Sequence, residues 1–191
     1  MSKSKFDPQK HHRKSIRLKG YDYTQPGAYF VTCCAHKRAE IFGSVRHGET
    51  ELSALGQILH DEWLRSAEIR KEIQVFEDEF VVMPNHFHAI VRIIETAGME
   101  GVYPLEGLTP SAPTDASQPI PLRRARRSLG SFLAGFKASV TSRAKRELNM
   151  TNIWQRNYYE HIIRNEVEFN NIWNYIDTNP LHWREDKLHP S

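Results

Sequence analysis

Cysteine is scarce: the 191-residue chain has two, Cys33 and Cys34, adjacent and inside an apolar stretch. That pair matches no zinc-ligand spacing and supports no disulfide framework, which makes a reducing compartment the fitting environment. No run approaches the ~18 apolar residues of a membrane span, and residues 1–10 lack the apolar segment of a secretory signal. The expected location is therefore the cytoplasm, with no membrane partner. Net charge is also small, at +3. Its distribution is uneven, however, with Lys3, Lys5, Lys10, Arg13, Lys14, Arg17 and Lys19 in one cluster and Arg123, Arg124, Arg126 and Arg127 in another. Clustering of this kind suits a polyanionic partner such as nucleic acid.

A chain of 191 residues with 39% hydrophobic content can bury one sizeable core and hardly two. The expected organisation is a basic arm over residues 1–20, a single domain over 21–182 and a tail over 183–191. An insertion interrupts the domain at about 95–122, where Gly98, Gly101, Pro104, Gly107, Pro110, Pro113, Pro119 and Pro121 leave little periodicity. Residues 28–35 (AYFVTCCA) follow the turn signal Gln25-Pro26-Gly27 and predict a buried strand. Leu52, Leu55, Ile58, Leu59 and Trp63 recur at helical spacing. Residues 75–83 predict a second strand, Pro84-Asn85 a tight turn, and residues 86–93 (HFHAIVRI) the hairpin partner. Leu129, Phe132, Leu133, Phe136 and Val140 mark a second helix, and the stretch from Ile153 to Ile163 a further strand or extended edge. A last helix is expected from about 165 to 178, stopped by Asn179-Pro180. This order of elements predicts an α+β fold, a ferredoxin-like sandwich in which helices pack on one side of an antiparallel sheet.

Chemistry centres on His86-Phe87-His88. Residues i and i+2 of a strand project from one face, roughly 6.5 to 7 Å apart along the chain, so both imidazoles can converge on one divalent ion. Phe87, Ala89, Val91 and Ile93 form an apolar opposite face, and the register that buries them puts the histidines on the other side. Two ligands do not make a metal site, and most His-x-His pairs are simply the wet face of a strand. The last helix offers more. Tyr175 and Asn179 are one turn apart beside the stripe Phe169, Ile172, Trp173 and Ile176, so the Asn179 carbonyl could reach the ion while Tyr175 places its phenol over a bound phosphate. By spacing alone, a packing tyrosine and a helix-terminal asparagine are the commoner uses of such residues. Arg123, Arg124, Arg126 and Arg127, with Lys137 and the N-terminal arm, could neutralise the phosphates of a nucleic acid, a flexible solvated linker being the alternative for the arginine run.

Three segments in fixed order, VVMPNHFHAIV, IWQRNYYEHIIRN and WNYIDTNP, resemble the single-tyrosine HUH transposases, and most closely the REP-associated tyrosine transposases. The likeness runs from about residue 21 to 182. It implies metal ligands at His86 and His88, a third ligand at Asn179, a nucleophile at Tyr175, and Mg²⁺ or Mn²⁺ as cofactor. It also implies single-stranded DNA and repetitive palindromic hairpins as partners, cleaved and rejoined through a 5′-phosphotyrosine, by a monomer in preference to a homodimer. Tyr158 and Tyr159 precede the helix that carries the family's tyrosine and rank below Tyr175; His161 and Arg164 receive no catalytic role. Two other readings stay open: a DNA-binding regulator of the same fold without cleavage, and a metal-dependent hydrolase whose nucleophile is water.

Overall fold

Two apolar segments dominated by β-branched and aromatic residues, GAYFVTCC and HFHAIVRI, form the longest strands and lie side by side. The structure is a computed structural model describing residues 20–95 and 127–190; residues 1–19, most of the expected insertion, and Arg123, Arg124 and Arg126 lie outside them. In chain order the elements are β1 (Gly27–Cys34), β2 (Gly43–Arg46), β3 (Glu49–Leu52), α1 (Ala54–Ile69), β4 (Ile73–Gln74), β5 (Phe80–Met83), β6 (His86–Ile93), α2 (Leu129–Leu148), β7 (Tyr159–Ile163) and α3 (Glu166–Thr178). Antiparallel pairing places β1 between β6 and β7, while β4 and β5 follow one another along the far edge of β6. This is the expected ferredoxin-like α+β arrangement, with β2 and β3 as a separate hairpin.

Each face of the two central strands is buried, and each face has its own cover. Tyr29, Val31 and Cys33 of β1 with Phe87, Ala89, Val91 and Ile93 of β6 pack under α1 and α2. At the centre of this layer the fully buried Trp63 has the rings of Phe80, Phe87, Phe132 and Phe136 around it, with centroids 4.7 to 6.3 Å away. Burial of these aromatic rings, with the aliphatic side chains beside them, drives the fold. The opposite face carries Ala28, Phe30, Ile90 and Ile163, covered by Ile176, Phe169, Ile172 and Trp173 of α3. The expectation that all helices share one side is therefore corrected. A second apolar surface at one end of the same strands draws the last helix to the other side.

Local signals explain the helix starts. The Ser53 hydroxyl accepts from the Gly56 amide at 3.0 Å, Ser128 caps α2 through the Ser131 amide, and Asn165 Oδ1 accepts from the Glu168 amide at 2.9 Å to start α3. Gly56 is required because any Cβ there would meet the Phe42 carbonyl oxygen at 2.0 Å. Residues 75–83, expected as one strand, divide: Glu77–Glu79 make a 3₁₀ turn and β5 begins only at Phe80. The turn carries the Glu79 carboxylate inward, where both terminal nitrogens of the Arg92 guanidinium on β6 donate to it. A buried charge needs such a partner, and that requirement overrides the strand pattern. Residues 183–190, expected as a tail, are docked instead: Trp183–Glu185 form a 3₁₀ turn, Trp183 is buried, and the Leu188 carbonyl accepts from Asn85. Among the described residues no helix is long and apolar enough to cross a membrane.

Candidate functional site

His86 and His88 share the sheet face that α3 covers, and they are 0% and 3% exposed, so they are not the wet face of an amphipathic strand. Their rings approach to 4.4 Å between centroids. Register supplies the neighbours. Thr32 of β1 lies directly opposite His88, and its hydroxyl meets His88 Nδ1 at 2.8 Å. Asn85, in the turn before β6, is fully buried and places Oδ1 2.8 Å from His86 Nδ1. Both rings are thus engaged at Nδ1, which leaves their Nε2 atoms for the space under α3.

That space is bounded by three further side chains. Tyr175 Oη lies 3.1 Å from His88 Nε2 and donates to Asp186 Oδ2 at 3.2 Å, while Asn179 Nδ2 donates to the same carboxylate oxygen at 3.1 Å. Ligand atoms of His86, His88 and Asp186 all fall within 4.8 Å of one another. Two buried polar atoms in the cluster, His86 Nε2 and Asn179 Oδ1, have no hydrogen-bond partner. Orphaned lone pairs of this kind are costly unless something occupies the space between them. An imidazole pair, a carboxylate and an amide oxygen are the donor set of a divalent ion such as Mn²⁺ or Mg²⁺, so the residues fit a metal.

Electrostatics agree with that fit. Burial pushes the His86 imidazole down to about 4 despite the opposing Asp186 charge, and burial followed by the neighbouring His86 holds His88 well below the ordinary histidine range. Both rings are neutral near pH 7 and able to give a lone pair. Burial, with the Asp186 carboxylate second, pushes the Tyr175 phenol up to about 12, so the bare site keeps it protonated. Tyr175 remains 43% exposed and opens onto a groove of about 1860 Å³ that continues past Thr32 and Lys137 to Trp154 and Tyr158. A chain-like substrate could reach the hydroxyl along it. Cys34 borders the groove, and burial raises its thiol as it does that of Cys33, pushed up to about 12 on the opposite face; neither is a ready thiolate.

Of the residues singled out in the sequence, His86, His88, Tyr175 and Asn179 come together. Lys137 reaches the groove, but its ammonium donates to the Gln155 and Asn157 carbonyls, both at 2.9 Å, and lies 5.1 Å from the Trp154 ring centroid. Arg127 stands away from the cluster, just before the first turn of α2, where Ser131 accepts from Arg70 near the far end of β6, roughly 23 Å from His86 at ~3.3 Å per residue. His161 and Arg164 both pair with Glu168 and anchor the start of α3. Sequence reasoning missed Asp186, placed in the supposed tail, and the parts played by Asn85 and Thr32. Thr32 left a signal, being the one aliphatic hydroxyl in an apolar strand; Asp186 left none.

An uncharacterized protein of Haemophilus influenzae is 37% identical over 186 residues, 97% of this chain and 98% of that relative. Among solved structures, the chain is similar to a REP-associated tyrosine transposase bound to a REP hairpin, with a TM-score of 0.57 at 18% identity over 92% of this chain and 77% of the other. No protein-family model matches.

Proposed function

We propose, for a chain that belongs to one family with the Haemophilus influenzae protein and has the fold of a REP-associated tyrosine transposase, that it is a metal-dependent single-stranded DNA transposase that cleaves and rejoins DNA at hairpin-associated sites. One observation carries the reading: the hydroxyl of a half-exposed tyrosine points at two buried histidines, an asparagine and an aspartate whose free lone pairs converge. His86, His88 and Asp186 would hold the ion, with Asn179 Oδ1 as a further ligand. A divalent cation bound there would draw charge from the scissile phosphate and favour the phenolate of Tyr175.

The chain's own groups supply the rest. Tyr175 Oη, on the open side of the cluster, is the nucleophile, and Asp186 Oδ2 is within reach of its proton. The bond from Oη to phosphorus forms as the bond to the 3′ oxygen breaks. The DNA keeps a 5′-phosphotyrosine link on one side and a 3′-hydroxyl, once protonated, on the other. Because the phosphodiester is exchanged and not hydrolysed, a second 3′-hydroxyl can reverse the step and join a new strand. Arg123, Arg124, Arg126 and Arg127 would bind phosphates, with affinity falling steeply as salt rises. Lys137 holds the groove wall.

The test is incubation of wild type and Tyr175→Phe with end-labelled hairpin DNA, in Mn²⁺ or EDTA, followed by a denaturing gel. A metal-dependent protein-linked band that vanishes in the variant is expected. Binding without cleavage would point to a regulator of the same fold, and cleavage without linkage, retained by the variant, to a hydrolase.

A further inference from the structure

Asn85 was expected to do no more than turn the chain. Its amide is instead fully buried and held at both ends, and the two ends differ in kind. Nδ2 lies 2.7 Å from the Leu188 carbonyl oxygen, an atom that only accepts. The nitrogen of the amide must therefore face Leu188, and the oxygen must face His86. Oδ1 also only accepts, so the His86 Nδ1 atom 2.8 Å away must carry the ring proton. A neutral imidazole has one such proton, so Nε2 is left with its lone pair. The other tautomer would place a proton on Nε2, where the nearby Asn179 oxygen has no partner, but it would set two lone pairs 2.8 Å apart at Asn85.

The contrast with His88 is instructive. Its Nδ1 meets the Thr32 hydroxyl, which donates or accepts equally well and so dictates nothing. The other end of the Asn85 connection leads back to the site, since the Leu188 amide donates to Asp186 Oδ1 at 2.6 Å. His86, Asn85, Leu188 and Asp186 form a loop of contacts whose two ends are both candidate ligands.

We infer that Asn85 is a positioning residue: it sets the His86 tautomer that exposes the Nε2 lone pair, and the Leu188 carbonyl, by taking the Asn85 donor, fixes which end of the amide faces His86. This rests on the metal reading of the site, but its test does not depend on DNA cleavage. Full-length, ¹⁵N-labelled, EDTA-treated protein is examined at pH about 7.5 by long-range ¹H–¹⁵N correlation of the imidazole rings, with His86 assigned by its loss in His86→Gln. Wild type is expected to show a protonated Nδ1 and a bare Nε2. Asn85→Ala is expected to move the proton toward Nε2 and to weaken Mn²⁺ binding about 10- to 100-fold, as loss of the group orienting a ligand does. Asn85→Asp, which keeps the acceptor and loses the donor, is expected to keep the wild-type tautomer. A protonated Nε2 in wild type overturns the inference without any variant having to fold, and so does a tautomer unchanged in Asn85→Ala. Failure of the DNA assay alone, with the tautomers as expected, would count against the proposed reaction and leave Asn85 its role.

Discussion

The two faces of the central sheet are made by the same strands and are put to opposite uses. On the side of α1 and α2, every inward residue of β1 and β6 is apolar, and Trp63 is enclosed by aromatic rings. On the side of α3, apolar packing occupies one end only; Ile176 is the single fully buried residue of that helix, and the other end holds histidines, an asparagine and an aspartate with unpaired atoms among them. Alternation along a strand lets adjacent residues, Phe87 and His88, serve the two purposes. Stability is concentrated on one face, so that an energetically unfavourable cluster is tolerated on the other.

Substitutions should separate the faces cleanly. Tyr175→Phe should give the largest effect on activity, with the covalent DNA band lost, while the urea midpoint moves by less than the equivalent of about 1 kcal/mol, since the ring stays and the residue is 43% exposed. Trp63→Ala should do the reverse, costing about 3–5 kcal/mol in urea unfolding. If Trp63→Ala left stability intact, or Tyr175→Phe unfolded the protein, the division would be wrong.

Acid should act first on the second face. In EDTA-treated protein the folded-state value of His86 lies below its unfolded value, so the unfolded chain takes up more protons between the two. Stability is then full above pH about 6.5 and falls as pH drops toward about 4, by on the order of 3 kcal/mol from this residue, with His88 acting in the same direction. Urea midpoints at the two ends of that range measure it, and His86→Gln should flatten the profile. A smaller gain should follow from metal: Mn²⁺ at about a hundred times its dissociation constant should stabilise wild type by about 2.7 kcal/mol and leave His86→Gln unmoved in the same melt.

How much of this was legible beforehand depends on which force decided each part. β6 could be read to the residue because Pro84 and Asn85 end one strand and strict alternation begins at His86. α3 was nearly as plain, expected from about 165 to 178, stopped by Asn179-Pro180, and found at Glu166–Thr178. The β2–β3 hairpin was not, since its strands are polar and half-exposed and carry no apolar period. Asp186 was invisible for a different reason. It reaches the site through a 3₁₀ turn after α3, and only the docking of Trp183 fixes where that turn lies. The side of the sheet taken by α3 was likewise a question of tertiary packing, which local spacing does not encode.

Lys137 has a consequence for electrolytes. A cation with two of its three hydrogens on carbonyls serves to hold the groove wall, and if it meets no phosphate it should be silent in the salt dependence of DNA binding. In Lys137→Met, the slope of log affinity against log salt should match wild type even if affinity itself falls, whereas each arginine that meets a phosphate removes about 0.7 to 0.9 from that slope when lost.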